Sequence, residues 1–265
     1  MDNLIHWFSP FDSAVVAFSS GVDSSVVAYA AHKALGQNAY SVTSLSPSIA
    51  QNEIQEARKI AREIGIRLLF VNQNDLKDQR YVANQTNRCY FCRNNLAKGI
   101  LPIVKEKSIK VWVDGTQVDD LKNPRPGLKA LREGGFRSPL VELSLGKEDV
   151  RSIARTIGLS NAERPSESCL SSRIAYGQSI DRVTLKMIER SEKFVKKATG
   201  CNIVRVRTLG KRAMIELDPS SIDRGVKNLA VISQKLRSYG YERVEIDSNG
   251  YKPGRMLELF VQENS

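Results

Sequence analysis

Three cysteines stand where their type and spacing suit chemistry. Cys89 and Cys92 lie in Asn87-Arg88-Cys89-Tyr90-Phe91-Cys92-Arg93, a C-x-x-C pair. Such a pair supplies two corners of a metal or iron–sulfur site, or forms a redox dithiol. Two ligands do not close a site, so a third is needed. Cys169 lies among small polar residues in Arg164-Pro165-Ser166-Glu167-Ser168-Cys169-Leu170-Ser171-Ser172-Arg173. Structural cysteines favour apolar surroundings, so reactivity or ligation is expected of Cys169. Cys201, in Thr199-Gly200-Cys201-Asn202 at the start of a later strand, reads as a small buried filler.

A second group suits phosphate. Ser19-Ser20-Gly21-Val22-Asp23-Ser24-Ser25 follows the apolar run Ala14-Val15-Val16-Ala17-Phe18 and precedes a helical pattern. A small-residue loop from a buried strand into a helix N-terminus points several backbone N–H groups at one place, where the helix dipole favours an anion. No lysine follows the glycine, which excludes the G-x-x-x-x-G-K-[ST] loop. Asp114-Gly115-Thr116, with Asp119 and Asp120, ends another strand. Acidic loops commonly cap helices or face water; before a triphosphate they would hold Mg²⁺ or ribose hydroxyls. Arg125-Pro126-Gly127 and Arg137-Ser138-Pro139-Leu140 put arginines on rigid turns that suit phosphate or carboxylate. Arg205 and Arg207 share one face of a strand, which predicts either an anionic partner or an exposed basic face.

The elements that position these groups alternate. Helices are predicted over 24–36, from a Ser48 cap to 65, over 93–107 and over 147–157, three of them closed by Gly36, Gly65 and Gly158. Ser48 and Gln51 read as a capping box for the second. Strands are predicted at 14–18, 39–45, 67–71 and 110–114. That rhythm specifies an α/β fold, a doubly wound and mainly parallel sheet with ligands at the carboxyl ends of its strands. From Gln178 the pattern becomes helix 182–199, a hairpin of 202–208 and 212–217, helix 221–239 and strand 243–246. The expected domains are therefore 1–177 and a smaller α+β domain, 178–265, ending in a loose tail of about a dozen residues.

The 265 residues suffice for two such cores. A net charge of +11 implies anionic partners such as nucleotides and phosphates. Only His6 and His32 are present, which disfavours a Ser-His-Asp hydrolase or a His-rich zinc site. No signal-peptide pattern or bilayer-length apolar stretch is found, so a cytoplasmic protein with reduced thiols is expected, with no membrane partner.

These residues together resemble the LarE family of the PP-loop ATP pyrophosphatases, over nearly the whole chain. The resemblance rests on the loop 19–25, Cys89 and Cys92, Asp114-Gly115-Thr116, Arg125-Pro126-Gly127 and, most specifically, 165–177, Pro-Ser-Glu-Ser-Cys-Leu-Ser-Ser-Arg-Ile-Ala-Tyr-Gly. Ser20 stands where the loop of that superfamily has its first glycine. The resemblance implies an ATP-dependent sulfur transferase that forms AMP and pyrophosphate. Its substrate would be a small nucleotide, pyridinium-3,5-biscarboxylic acid mononucleotide, thiolated for the nickel-pincer nucleotide. It further implies that Ser19, Gly21, Asp23, Ser24 and Ser25, with Gly115 and Thr116, bind ATP and Mg²⁺. Arg173, Arg205 and Arg207 would bind the substrate. Cys89, Cys92 and Cys169 match the family type in which three cysteines hold a 4Fe–4S cluster. In the other type the cysteine matching Cys169 surrenders its own sulfur. Asp23 and Cys169 are the implied catalytic residues. Sulfide or a desulfurase would donate the sulfur, and a homo-oligomer is expected. The rivals are a tRNA thiolase of the same superfamily, an amide-forming pyrophosphatase and a non-catalytic nucleotide-binding regulator. Nucleic acid is disfavoured because only about a dozen residues precede the first strand, leaving no expected N-terminal RNA-binding domain.

Overall fold

A computed structural model describes residues 1–122 and 125–252. The expected tail, and Asn123 and Pro124, lie outside the described residues. The chain opens with α1 (Asp2–Phe8), β1 (Ala14–Ala17), α2 (Val22–Leu35), β2 (Ala39–Leu45), α3 (Gln51–Ile64) and β3 (Arg67–Asn72). It continues with α4 (Gln79–Val82), α5 (Arg88–Glu106), β4 (Val111–Val113), α6 (Pro126–Glu133), α7 (Pro139–Glu142) and α8 (Lys147–Thr156). The remainder is α9 (Arg182–Thr199), β5 (Val204–Leu209), β6 (Arg212–Leu217), α10 (Ile222–Lys227), α11 (Leu229–Tyr239) and β7 (Arg243–Ile246). No helix among the described residues is long and apolar enough to cross a membrane.

Two compact units result. The first comprises 1–75 and 87–167. Its sheet is parallel, in the order β3-β2-β1-β4. Central β1 is short and apolar, and its side chains alternate between two cores. Ala14 and Val16 join residues of α2, α3 and α8, while Val15 joins residues of α5 and α6. Both faces are thus covered, as a parallel sheet requires, and the sheet is doubly wound as the alternation predicts. The carboxyl ends of adjacent β1 and β4 then deliver the phosphate loop and Asp114-Gly115-Thr116 side by side.

The second unit comprises 76–86 and the described residues from 168 onward. Strands β5 and β6 form the expected antiparallel hairpin, and β7 adds parallel to β6. Val204, Val206, Ile215, Val195, Ile232 and Leu236 form its core, which also holds Cys201. Segment 76–86 is fixed by Tyr81 and Asn84. Tyr81 Oη lies 2.5 Å from Ser171 Oγ, and Asn84 Nδ2 donates to the carbonyls of Ala175 (2.7 Å) and Gln178 (2.9 Å).

Some local expectations are corrected. Helix α3 starts at Gln51 with Ala50 as its cap, because the Ser48 N–H is turned back to Ser46 Oγ at 3.2 Å. Helix α5 begins five residues before the expected Arg93 and so takes in both cysteines. Aromatic and Cys residues are weak helix formers, but α6 holds this turn: Tyr90 Oη donates to Glu133 Oε2 at 2.5 Å. The expected helix 221–239 is two, divided at Asn228, whose Nδ2 donates to the Arg224 carbonyl at 2.8 Å.

Candidate active site

The loop after β1 is built by its own serines. Ser24 Oγ donates to the Gly21 carbonyl at 3.0 Å and lies 3.2 Å from Ser19 Oγ. Ser25 turns both its N–H (3.0 Å) and its hydroxyl (2.9 Å) to the same Gly21 carbonyl, so it shapes the loop from within. Gly21 caps α2, and the first N–H groups of that helix, from Val22 to Ser24, have no intrahelical acceptor. These are the donors on which the expectation of an anion site at this helix end rests. Ser20 is the exception to ordinary backbone geometry, with φ of +58°.

Asp114 ties β4 to this end. Its Oδ1 accepts from the Thr116 N–H at 2.8 Å and from Ser138 Oγ at 2.9 Å. The turn so formed brings Gly115 against the first turn of α2. A Cβ on Gly115 would lie 2.6 Å from the Ser24 nitrogen and 2.8 Å from its Cα. The absent side chain lets the two strand ends approach.

Charge is arranged around Asp23. Burial, first, and the Asp120 carboxylate, second, raise its pKa from 3.8 to about 6, against the pull of Arg151, Lys147 and Arg125. Asp120 itself pairs with Arg125 at 2.7 Å. Asp119 accepts from the Lys147 N–H at 2.8 Å and pairs with Lys122 at 2.5 Å, and the Lys122 hydrogen bond holds its pKa below the usual carboxylate range. Four cations and three carboxylates beside a phosphate loop suit a nucleotide triphosphate with a divalent cation.

In the same unit Cys89 and Cys92 sit three residues apart at the start of α5, on one face. Cys89 is exposed and Cys92 half-buried. A buried polar cluster, unsignalled by any local motif, lies under Cys92. Asp75, 0% exposed, accepts from Ser46 Oγ (2.8 Å), Gln73 Nε2 (2.8 Å) and Asn95 Nδ2 (3.2 Å). Gln73 Nε2 also donates to the Cys92 carbonyl at 2.8 Å and lies 3.5 Å from its Sγ.

In the second unit Cys169 is exposed and starts a 3₁₀ turn, Leu170–Arg173. Arg173 is buried beneath it. Its Nη1 donates to the carbonyls of Ser168 (2.6 Å) and Cys169 (2.9 Å), while Nε and Nη2 grip Glu192 at 2.8 and 3.2 Å. The geometry gives Arg173 the work of holding the cysteine turn. Arg205 and Arg207 lie on no exposed basic face: they are 1% and 5% exposed. Arg207 donates to Glu216 at 2.7 Å and to the Ser172 carbonyl at 3.0 Å, and Arg205 lies over the Tyr251 ring, 5.2 Å from its centre. Among the described residues no three His, Cys, Asp or Glu side chains are grouped to hold a metal ion.

Residues 7–100, which include the phosphate loop and both cysteines of the pair, match the family model described as NAD synthase. The chain is 38% identical over 264 residues to an uncharacterized protein of Synechocystis sp., covering 99% of this chain and 98% of that one. It is 30% identical over 248 residues to the pyridinium-3,5-bisthiocarboxylic acid mononucleotide synthase of Lactiplantibacillus plantarum, covering 93% and 90%. Likeness to one subunit of a glutamine-hydrolyzing GMP synthase of Archaeoglobus fulgidus is 26% over 156 residues, 55% of this chain and 51% of that one.

Proposed function

The chain belongs to the LarE family, within the ATP-using PP-loop proteins, and on that premise we propose that it thiolates a carboxylate of pyridinium-3,5-biscarboxylic acid mononucleotide, for nickel-pincer nucleotide synthesis. One observation carries this reading: the same chain has a phosphate loop and exposed thiols at Cys89 and Cys169. An amide-forming synthetase needs the first and has no use for the second.

Chemistry follows from the groups present. A carboxylate is a poor acyl donor because its oxygen is a poor leaving group. Attack of that oxygen on the α-phosphorus of ATP expels pyrophosphate and gives an acyl-adenylate. A sulfur nucleophile then adds to the carbonyl carbon, and AMP leaves with one carboxylate oxygen. The N–H groups at the start of α2 would hold the pyrophosphate portion, with Ser19, Ser24, Gly115 and Thr116 shaping the cradle and Ser25 supporting it. Asp23 and Asp120 would hold Mg²⁺, and Lys147, Arg151 and Arg125 would offset negative charge that develops as pyrophosphate departs. Arg205 and Arg207 are kept as the substrate's anion site, with Arg173 holding the Cys169 turn.

The three thiols fit an iron–sulfur ligand set by type: they are in no disulfide, none is fully buried, and two share one helical turn. We take Cys89, Cys92 and Cys169 as the residues that would hold a 4Fe–4S cluster. Such a cluster, with three protein thiolates, would supply an open iron for an external sulfide. Sulfide or a desulfurase would supply it, and a cytoplasmic homo-oligomer is proposed.

The test is anaerobic reconstitution followed by turnover with ATP and the dicarboxylate nucleotide. AMP, pyrophosphate and a thiocarboxylate are expected, with an iron–sulfur spectrum that is lost in Cys89→Ala, Cys92→Ala or Cys169→Ala and kept in Cys201→Ala. ADP as the main product would refute the reading. A colourless protein that turns over once, loses one sulfur at Cys169 and tolerates loss of Cys89 and Cys92 would replace the cluster with the sacrificial route.

A further inference from the structure

The phosphate loop contains a residue in the wrong conformation for its type. Ser20, at φ +58°, is left-handed, a region that L side chains adopt reluctantly. Ser20 is also fully buried. Its own hydroxyl reaches only the Ser19 carbonyl, at 2.5 Å, and does nothing to fix the peptide that follows.

That peptide is gripped from far along the chain. After α8 the backbone turns at Gly158, and Leu159 and Ala162 enter the core beside α2. Asn161 between them is carried in as well and is 1% exposed. Its Nδ2 donates to the Ser20 carbonyl at 2.8 Å and to Ser25 Oγ at 2.9 Å. Ser25 Oγ in turn donates a hydrogen bond to the Gly21 carbonyl at 2.9 Å. One carboxamide thus fixes two consecutive carbonyls, the first directly and the second through Ser25. Its Oδ1 has no partner among the described residues, so packing alone does not account for an amide here.

Peptide planarity converts this grip into function. In a trans peptide the C=O and the following N–H point in opposite directions. Drawing the Ser20 carbonyl inward to Asn161 turns the Gly21 N–H away from the core. That N–H has only a long contact, 3.4 Å to Ser19 Oγ, and is poised to bind an anion.

We propose that Asn161 is a positioning residue for the phosphate loop, which holds Ser20 left-handed and so aims the Gly21 N–H at the bound phosphate. The assignment rests on the reading of 19–25 as the ATP phosphate cradle.

The test compares Mg·ATP affinity by calorimetry in the full chain, with circular dichroism as a check of folding. Asn161→Asp keeps the size and removes the donor. It is expected to weaken Mg·ATP binding about tenfold, the effect of one lost hydrogen bond of this kind, and to leave affinity for the carboxylate substrate unaltered. Glycine adopts φ above zero without a Cβ penalty. The loss caused by Asn161→Asp should therefore shrink at least about threefold when Ser20→Gly is also present. A structural lesion would show no such rescue. Should Asn161→Asp fail to fold, Asn161→Ser and its Ser20→Gly double variant are compared in the same way. Gly21→Ala separates the two levels. If Gly21→Ala weakens Mg·ATP binding while the Asn161 variants bind as the parent does, the role of Asn161 is wrong and the cradle stands. If neither matters, the cradle itself is misplaced. Equal losses with and without Ser20→Gly would also overturn the proposal.

Discussion

Replacing Asp23 by Asn is expected to stabilise the ligand-free protein at pH 8 and to leave it nearly unchanged at pH 4. The carboxyl has a pKa raised from 3.8 to about 6, chiefly by burial and then by Asp120. A raised carboxyl binds its proton more tightly folded than unfolded. Its ionised form therefore costs stability: nothing below pH 3.8, progressively more between 3.8 and about 6, and the full amount above. At 1.36 kcal/mol per pH unit the rise is worth about 3 kcal/mol, and about 2–3 after allowing for the solvent that still reaches the group. Asparagine fills the same space without the charge. For a chain of this size the unfolding midpoint moves about 2–4 °C per kcal/mol, so a gain of about 5–10 °C is expected at pH 8. Differential scanning calorimetry of both proteins from pH 4 to pH 8 measures it. A bound cation would relieve the same penalty, so Mg²⁺ should raise the parent midpoint more at pH 8 than at pH 5 and have no such effect on the variant. AMP formation should be lost throughout. A gap between the two proteins that stays constant with pH would refute the reasoning, as would a variant less stable than the parent at pH 8.

Gly115→Ala places a methyl 2.6 Å from the Ser24 nitrogen, so the loop must shift. A stability loss of about 1–3 kcal/mol is expected, with a rise in KM for ATP; an unchanged KM would show that the approach of β4 does not set the loop. Arg207→Ala leaves Glu216, 0% exposed, without its partner. It should destabilise by about 3–5 kcal/mol in urea, and Arg207→Met with Glu216→Leu should recover most of this; a neutral Arg207→Ala would mean that the pair is not buried in solution.

Patterns local in sequence were legible. The period of β1 and β2, and the glycines that end α2 and α3, place the phosphate loop without any structure. Three-dimensional partners were not. Asn161 is 141 residues from the carbonyl it holds, and a single amide in Ser160-Asn161-Ala162 carries no pattern. Likewise Gln73 and Asp75 read as loop residues until the fold brings α5 across them. Adjacent charges in Arg205-Val206-Arg207 do signal a need for negative charge. Part of that charge is Glu216, which stands opposite Arg205 in the β5–β6 register and accepts from Arg207 on the diagonal, a pairing the two segments alone do not announce. The start of α5 was missed because contact with α6 outweighs the weak propensity of its first turn.

Segment 76–86 has a consequence for biogenesis. It belongs with residues made much later, since Tyr81 and Asn84 bond to Ser171, Ala175 and Gln178. During synthesis, units complete themselves in the order in which they emerge. The first unit can close once Glu167 has left the ribosome, with 76–86 looped out and its apolar tyrosine and amide still waiting. That loop ends at Thr86, just before the turn that bears Cys89 and Cys92. On that order of folding, these two thiols are expected to stay more accessible to thiol-modifying reagents in a chain truncated after Glu167 than in the full chain. Under the proposed cluster, its assembly on these cysteines would follow release of the whole chain.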